Sequence, residues 1–158
     1  MSMERARAHL RKYNLEDRIQ EFEVSSATVE LAAQAVGVEP ARIAKTLSYL
    51  VDGEAILIVA AGDIRVDNRK FKDTFHTKAK MLGHEQAAEM IGHAVGGVCP
   101  FGVNEGVKVY LDVSMKRFDI IYPAAGTSSS AVKLTIPELE AASEFVAWVD
   151  VAKEITEG

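Results

Sequence analysis

The residues of this chain that could do chemistry fall in two places. One is Lys45, an ammonium between a proline-started run, Glu39 to Ala44, and a strongly apolar stretch; the other is the segment Gly96-Gly97-Val98-Cys99-Pro100-Phe101-Gly102. Three glycines and a proline in seven positions present the main chain to whatever lies beside it, and amides so presented can hold an oxyanion or a phosphate. The same composition also suits an ordinary tight connection between strands. Gly97 and Gly102 have the glycine spacing of a Walker loop, but Val103 and Asn104 stand where the phosphate-binding lysine and the magnesium-binding hydroxyl belong, which excludes a nucleotide P-loop. Cys99 follows His93 by six residues, so a thiol nucleophile with an imidazole base is a further reading. A lone cysteine serves equally as a small buried filler.

Lys45 is placed to point a cation into a cavity where a carbonyl or phosphate oxygen needs one, although a solvated surface lysine has the same sequence signature. Gly126, Thr127, Ser128, Ser129 and Ser130 form a polar turn whose hydroxyls can reach a ligand or satisfy their own backbone. Arg65, Lys70, Lys72, Lys78 and Lys80 make the main basic patch, a solvated face or a place for an RNA backbone. His9, His76 and His84 lie in polar stretches without the i, i+4 spacing of a helical metal site, and none is assigned a role.

Composition narrows the classes. With 158 residues, 48% of them hydrophobic, the chain is long enough for one proper core, and a single domain over 1–158 is expected. A net charge of −5 argues against a broad embrace of nucleic acid but leaves room to grip one end of it. One cysteine and no zinc spacing point to a cytosolic, metal-free protein without a cofactor. The charged N-terminus has no signal-peptide core, and no apolar run approaches the ~20 residues of a membrane span.

The elements that must position these groups are read from periodicity and punctuation. The first twelve residues predict a surface helix. Val29, Ala32, Ala33 and Val36 give a helix with one apolar face, capped by Thr28 and ended by Gly37. Pro40 opens a second helix expected to stop near Lys45, which would put that lysine at the mouth of a strand. Strands over Thr46–Val51 and Glu54–Ala61 flank an Asp52-Gly53 hairpin turn. Asp67 caps a helix to about Phe75, Lys78–Met81 reads as a short strand, and Glu85–Ile91 reads as a helix ended by Gly92. Strands follow at 107–112, 118–122 and 131–134, and Thr135 with Glu138 forms a capping box. This order predicts an α+β domain with a mixed, mostly antiparallel sheet or partly closed barrel flanked by helices.

Taken together, ARIAKTL at 41–47, GGVCPFG at 96–102 and IIYPAAGTSSSAVKLTIPELE at 120–140 resemble the YbaK/prolyl-tRNA-synthetase-associated domain family of aminoacyl-tRNA deacylases. The resemblance runs from about Glu23 to Val149 and includes TVELAAQAVGV at 28–38. It implies a trans-editing hydrolase of YbaK-like fold that cleaves a wrong amino acid from the 3′ end of a tRNA, commonly a small residue on proline tRNA. The family's lysine corresponds to Lys45, and its glycine-to-proline loop corresponds to Gly96 and Pro100. On that basis Lys45, Gly97, Cys99 and Pro100 are the expected catalytic set. Thr46, Gly96, Val98, Phe101, Gly102, Gly126, Thr127, Ser128 and Ser129 are the expected substrate-binding set. The implied partners are the tRNA acceptor end and an aminoacyl-tRNA synthetase.

Two departures from the family leave the edited amino acid open. Some members carry basic residues after the glycine of the 126–129 loop, and alanine-specific members carry a histidine at about Tyr122. Cys99 also stands where serine is common. Two rival readings remain beside the hydrolase: a non-catalytic module that binds tRNA ends or a synthetase, and a hydrolase acting through Cys99.

Overall fold

The computed structural model describes residues 2–23, 28–93 and 98–155. Helix α1 (Ser2–Arg11) precedes strand β1 (Ile19–Glu21) and helix α2 (Val29–Val36). A single 3₁₀ turn, Pro40–Arg42, leads into β2 (Ile43–Val51). Then come β3 (Glu54–Ala61), β4 (Ile64–Val66), α3 (Asn68–Phe75), α4 (His84–Met90) and β5 (Lys108–Asp112). The chain closes with β6 (Ile120–Pro123), β7 (Ser130–Val132), β8 (Leu134–Thr135), α5 (Ile136–Ser143), β9 (Ala147–Val149) and β10 (Ala152–Glu154).

The main sheet has the order β8-β6-β2-β3-β5-β9 and curls into a half-barrel, with β1-β7 and β10-β4 as separate antiparallel pairs. It is mixed, as expected. The long β2–β3 hairpin is antiparallel, whereas β2–β6, β3–β5 and β5–β9 are parallel joins made by crossovers. Strand β3 explains its own unbroken apolar run. Leu57, Val59 and Ala61 face the large core with α1 and α5, while Ile56 and Ile58 face a second cluster under α3. A strand buried on both sides cannot alternate. Leu57, Ile58 and Val59 are wholly buried, each worth roughly 1.5–3 kcal/mol of transfer free energy.

Caps stop the helices where the side chains dictate. Thr28 Oγ1 accepts from Leu31 N, Asp67 Oδ1 accepts from Arg69 N and Lys70 N, and the Thr135–Glu138 capping box opens α5. Asp112 is a wholly buried carboxylate that accepts from Ser114 N and Val151 N, each at 2.9 Å, and so ties the end of β5 to the chain beyond β9.

Four expectations are corrected. Helix α1 is not confined to the surface: Ala6 and Leu10 are wholly buried, so its charges cover one face only. The helix expected at Pro40 is one turn long. β-Branched Ile43 already pairs with Tyr122, and Lys45 pairs with Ala60, so the lysine lies within a strand, not at its mouth. The expected strand at Lys78–Met81 reduces to a single bridge, Met81 to Tyr49, because only two hydrogen bonds join it to β2: Leu50 N to Lys80 O and Leu82 N to Ser48 O. Strands β1, β4, β9 and β10 were not anticipated. They are three-residue edge segments too short to show a period.

Candidate active site

Strand β2 pairs with β3 along eight residues, Ala44 to Val51. Its other edge is covered differently at its two ends. Strand β6 pairs with it only at Ile43 and Ala44, and the 80–82 segment joins only from Ser48 onward. Between these points, across roughly 13 Å of strand, no described strand lies against this edge of β2. That gap opens a cavity of about 370 Å³. Ser48 O and Leu50 N face the 80–82 segment, so by the two-residue period of a strand the N–H and C=O of Thr46 point toward the same open edge.

The cavity is walled on one side by Lys45, Thr46 and Leu47 of β2, and on the other by Tyr122, Ala124 and Ala131 from β6 and β7. Thr28, Val29 and Ala32 of α2 close one end, Met81, Leu82 and His84 the other, and Val98 also lines it. Most of this lining is apolar. The Thr46 hydroxyl is buried with no partner among the described residues. In a folded protein such a group costs free energy unless something arrives to bond it.

Lys45 is half-buried, and its ammonium donates to the Ile64 carbonyl. Burial lowers its pKa from the ordinary lysine value, and the carboxylates of Asp63 and Glu30 pull it partly back. Asp63 is itself clamped by the Arg117 guanidinium at 2.6 and 2.9 Å, which holds its carboxyl below the usual range. The β3–β4 turn that carries Asp63 is pressed against the α2 wall through Gly62. A Cβ on Gly62 would overlap the Pro40 carbonyl and lie 2.7 Å from Val29 Cγ1. Only glycine leaves room for that approach.

The glycine-rich segment divides. Gly96 and Gly97 lie outside the described residues. Val98 reaches the cavity, whereas Cys99, Pro100 and Phe101 are buried behind it. Gly102 has φ +68°, and a Cβ there would stand 2.6 Å from the Arg5 carbonyl carbon, so this end of the segment is seated on α1. The Phe101 ring packs 5.9 Å from His9.

Cys99 does come together with His93, its sulfur 3.6 Å from Nε2, but both are wholly buried. His93 Nε2 lies 2.7 Å from the Phe101 carbonyl, which can only accept, so this nitrogen carries the proton and cannot serve the thiol as base. Burial pushes the Cys99 thiol up to about 12 and the His93 imidazole down. The pair is built as core, which speaks against the thiol nucleophile.

The 126–129 loop is largely bonded to itself. Ser130 Oγ accepts from Ala125 N at 3.1 Å and donates to Thr127 O at 3.0 Å, and Ser129 N donates to Thr127 Oγ1 at 3.3 Å. The cavity is reached by Ser130 and Ala131, not by Gly126, Thr127, Ser128 or Ser129. The main chain of Gly126 instead lies close to buried Cys99, so the two loops meet away from the cavity lining.

Among the site residues that sequence reasoning passed over are Ser48, Ala124, Ala131 and, at the rim, His84, whereas Tyr122 was marked only as a point of departure from the family. Their residue types carry no signal; only the place where β2 parts from β6 selects them. Among the described residues no three Cys, His, Asp or Glu side chains cluster as a metal site, and no helix is long and apolar enough to cross a membrane.

The curled, mixed half-barrel sheet with its helices matches the fold of a trans-editing domain. A solved structure described as a candidate trans-editing enzyme for prolyl-tRNA synthetase matches with a TM-score of 0.87 and 28% identity, over 96% of this chain and 97% of that one. Residues 23–142 match the aminoacyl-tRNA editing domain family, and the chain belongs to it. Over 155 residues it is 49% identical to the uncharacterized protein YwhH of Bacillus subtilis (strain 168), covering 98% of this chain and 99% of that protein. The proline–tRNA ligase of Lysinibacillus sphaericus (strain C3-41) is 32% identical over 90 residues, 56% of this chain but only 16% of the ligase.

Proposed function

We propose that this protein is a deacylase that hydrolyses, in trans, the ester between a small mismatched amino acid and the 3′ end of a tRNA, with proline tRNA the first candidate. The observation that carries the reading is half-buried Lys45, which lines a mostly apolar cavity beside the open edge of β2 and whose ammonium is held by the Ile64 carbonyl. A cavity of about 370 Å³ is in the range of small-molecule sites. Walls of Ala32, Ala44, Ala124 and Ala131 suit a small side chain.

An ester is activated without a protein nucleophile if its carbonyl is held against fixed donors while water attacks. In this reading Lys45 orients the terminal nucleoside or its phosphate. Val98, the described residue of the glycine-rich segment that lines the cavity, offers its amide to the carbonyl, Thr46 supplies its hydroxyl, and the substrate's own hydroxyl or thiol assists. Cys99, Pro100 and Phe101 hold Val98 from behind as buried residues, and Gly126 meets Cys99 there. Chemistry of this kind asks for no cofactor.

The test is to incubate the purified protein with a panel of mischarged tRNAs and follow ester loss above the spontaneous rate. Acceleration confined to small amino acids is expected. No acceleration with any of them, together with retained RNA binding, would leave a non-catalytic tRNA-end module.

A further inference from the structure

The segment 76–84, His-Thr-Lys-Ala-Lys-Met-Leu-Gly-His, contains two lysines and two histidines and no carboxylate, in a chain with 23 acidic residues. It runs along the outside of β2 to the cavity mouth, where Met81, Leu82 and His84 form the rim. Its exposure alternates: His76, Lys78 and Lys80 are exposed, while Thr77 and Ala79 between them are half-buried. Ala79 packs on the cluster beneath α3, and Lys80 O and Leu82 N bond to β2. The two lysines therefore stand on the outer face about 6.5 Å apart, the two-residue step of an extended chain. That step is comparable with the spacing of successive phosphates on an extended single strand.

Within the sequence's basic patch, Lys70 is differently employed, whereas Arg65 and Lys72 lie outside this segment. Lys70 is held by Asp150 at 3.1 Å and by the Ala152 carbonyl at 2.9 Å. Lys78 and Lys80 enter no ion pair among the described residues. At the end of the row Met81 is 58% exposed next to the exposed His84 imidazole, an apolar and a flat surface side by side at the mouth. A thioether and an imidazole of this kind can receive the face of a base.

We infer that the 76–84 segment is a track for the single-stranded 3′ end of the RNA. Lys78 and Lys80 meet successive phosphates, and Met81 with His84 supports a base as the aminoacylated terminal nucleoside enters the cavity. This rests on the proposed function for the identity of the occupant, but the track itself needs no catalysis. It explains how a chain of net charge −5 can hold an RNA end: two exposed lysines stand on one carboxylate-free strip that leads to the site.

The test compares the full-length protein with Lys78→Ala/Lys80→Ala and with a control of equal charge, Lys12→Ala/Lys133→Ala. Binding of an uncharged RNA hairpin ending in a single-stranded CCA is followed by fluorescence anisotropy over a range of salt. Losing two phosphate contacts on a single strand should weaken binding roughly tenfold at low salt and flatten the log–log salt slope by about 1.4. The control should bind as the unsubstituted protein does. Hydrolysis of a small-amino-acid ester of adenosine, which has no upstream phosphate, should keep its kcat/KM in the double variant, while kcat/KM on mischarged tRNA falls with the affinity.

The track is overturned if Lys78→Ala/Lys80→Ala keeps the affinity and salt slope of the unsubstituted protein, if the control loses as much, or if the hairpin does not bind at all. If no tRNA ester is cleaved yet binding depends on Lys78 and Lys80, the hydrolase fails and the track stands. If tRNA esters are cleaved equally well by the double variant, the track fails and the hydrolase stands.

Discussion

The two walls that meet at the cavity are built on opposite principles. The β2 wall is a regular strand, one edge of which is left open over Lys45 to Leu47 among the described residues, and it carries a half-buried cation and a hydroxyl with no partner among those residues. The 98–102 wall is irregular, and all of it except Val98 is turned away from the cavity, sunk between α1, His93 and the 126–129 loop. The first lines the cavity with polar groups; the second is packed into the core. Substitutions should therefore separate, with activity lost on β2 and stability lost behind the loop.

The sharpest way to break that separation is Phe101→Ala. The ring is wholly buried, so its removal should cost about 3–5 kcal/mol in urea unfolding, and any protein that remains folded should still deacylate. A fully folded but inactive Phe101→Ala would move Phe101 to the substrate side. Next comes Lys45→Ala, which should lower kcat/KM for deacylation by ~100- to 1000-fold, the cost of one oriented donor. Its thermal midpoint should hold or rise, since a half-buried ammonium no longer needs accommodation. Loss of the fold in this variant would make the lysine structural.

Cys99→Ser tests the buried side with a smaller change. The hydroxyl can take over the weak sulfur contact to the Phe101 carbonyl, so a stability change of about 1 kcal/mol and unaltered turnover are expected. With its thiol pushed up to about 12, native Cys99 should also resist thiol reagents at pH 8 and react only on unfolding. Abolished turnover in Cys99→Ser would restore the thiol mechanism.

The smallest effect concerns pH. If the ammonium of Lys45 is needed, the enzyme-dependent rate falls as pH rises through its folded pKa, which burial sets below the ordinary 10.5. Glu30→Gln removes a carboxylate that favours the charged form, so the falling limb should move to lower pH. Stability runs the other way. Between the folded pKa and 10.5 the unfolded chain binds more protons at Lys45, so stability gained from this residue rises with pH in that window. A limb unmoved by Glu30→Gln would show that the rate does not report Lys45.

Legibility followed the range of the forces involved. The boundaries of β3 and α3, the Asp52-Gly53 turn, the Thr28 and Asp67 caps and the 135–138 capping box were readable because each depends on neighbours within a few residues. Strand β2 was placed three residues late, since Pro40 suggests a helix and only pairing with Tyr122 and Ala60 makes Ile43 to Lys45 extended. The site was half legible. The order of ARIAKTL, GGVCPFG and the 120–140 block marked Lys45, the loop and the Tyr122 position, but not that Ala131 and His84 would complete the wall.

By itself, then, the sequence determined the family, the helical and hairpin units and the two segments that frame the site, because residue type and local spacing carry that information. Tertiary structure decided which side of each segment faces the ligand. Strand β6 leaves β2 after Ala44 and the 80–82 segment rejoins it at Ser48, so Lys45 and Thr46 border a cavity. α1 presses on Gly102 and His93 claims the Phe101 carbonyl, so Cys99 and Phe101 are drawn into the core. Those contacts join residues far apart in the chain, and no local pattern announces them.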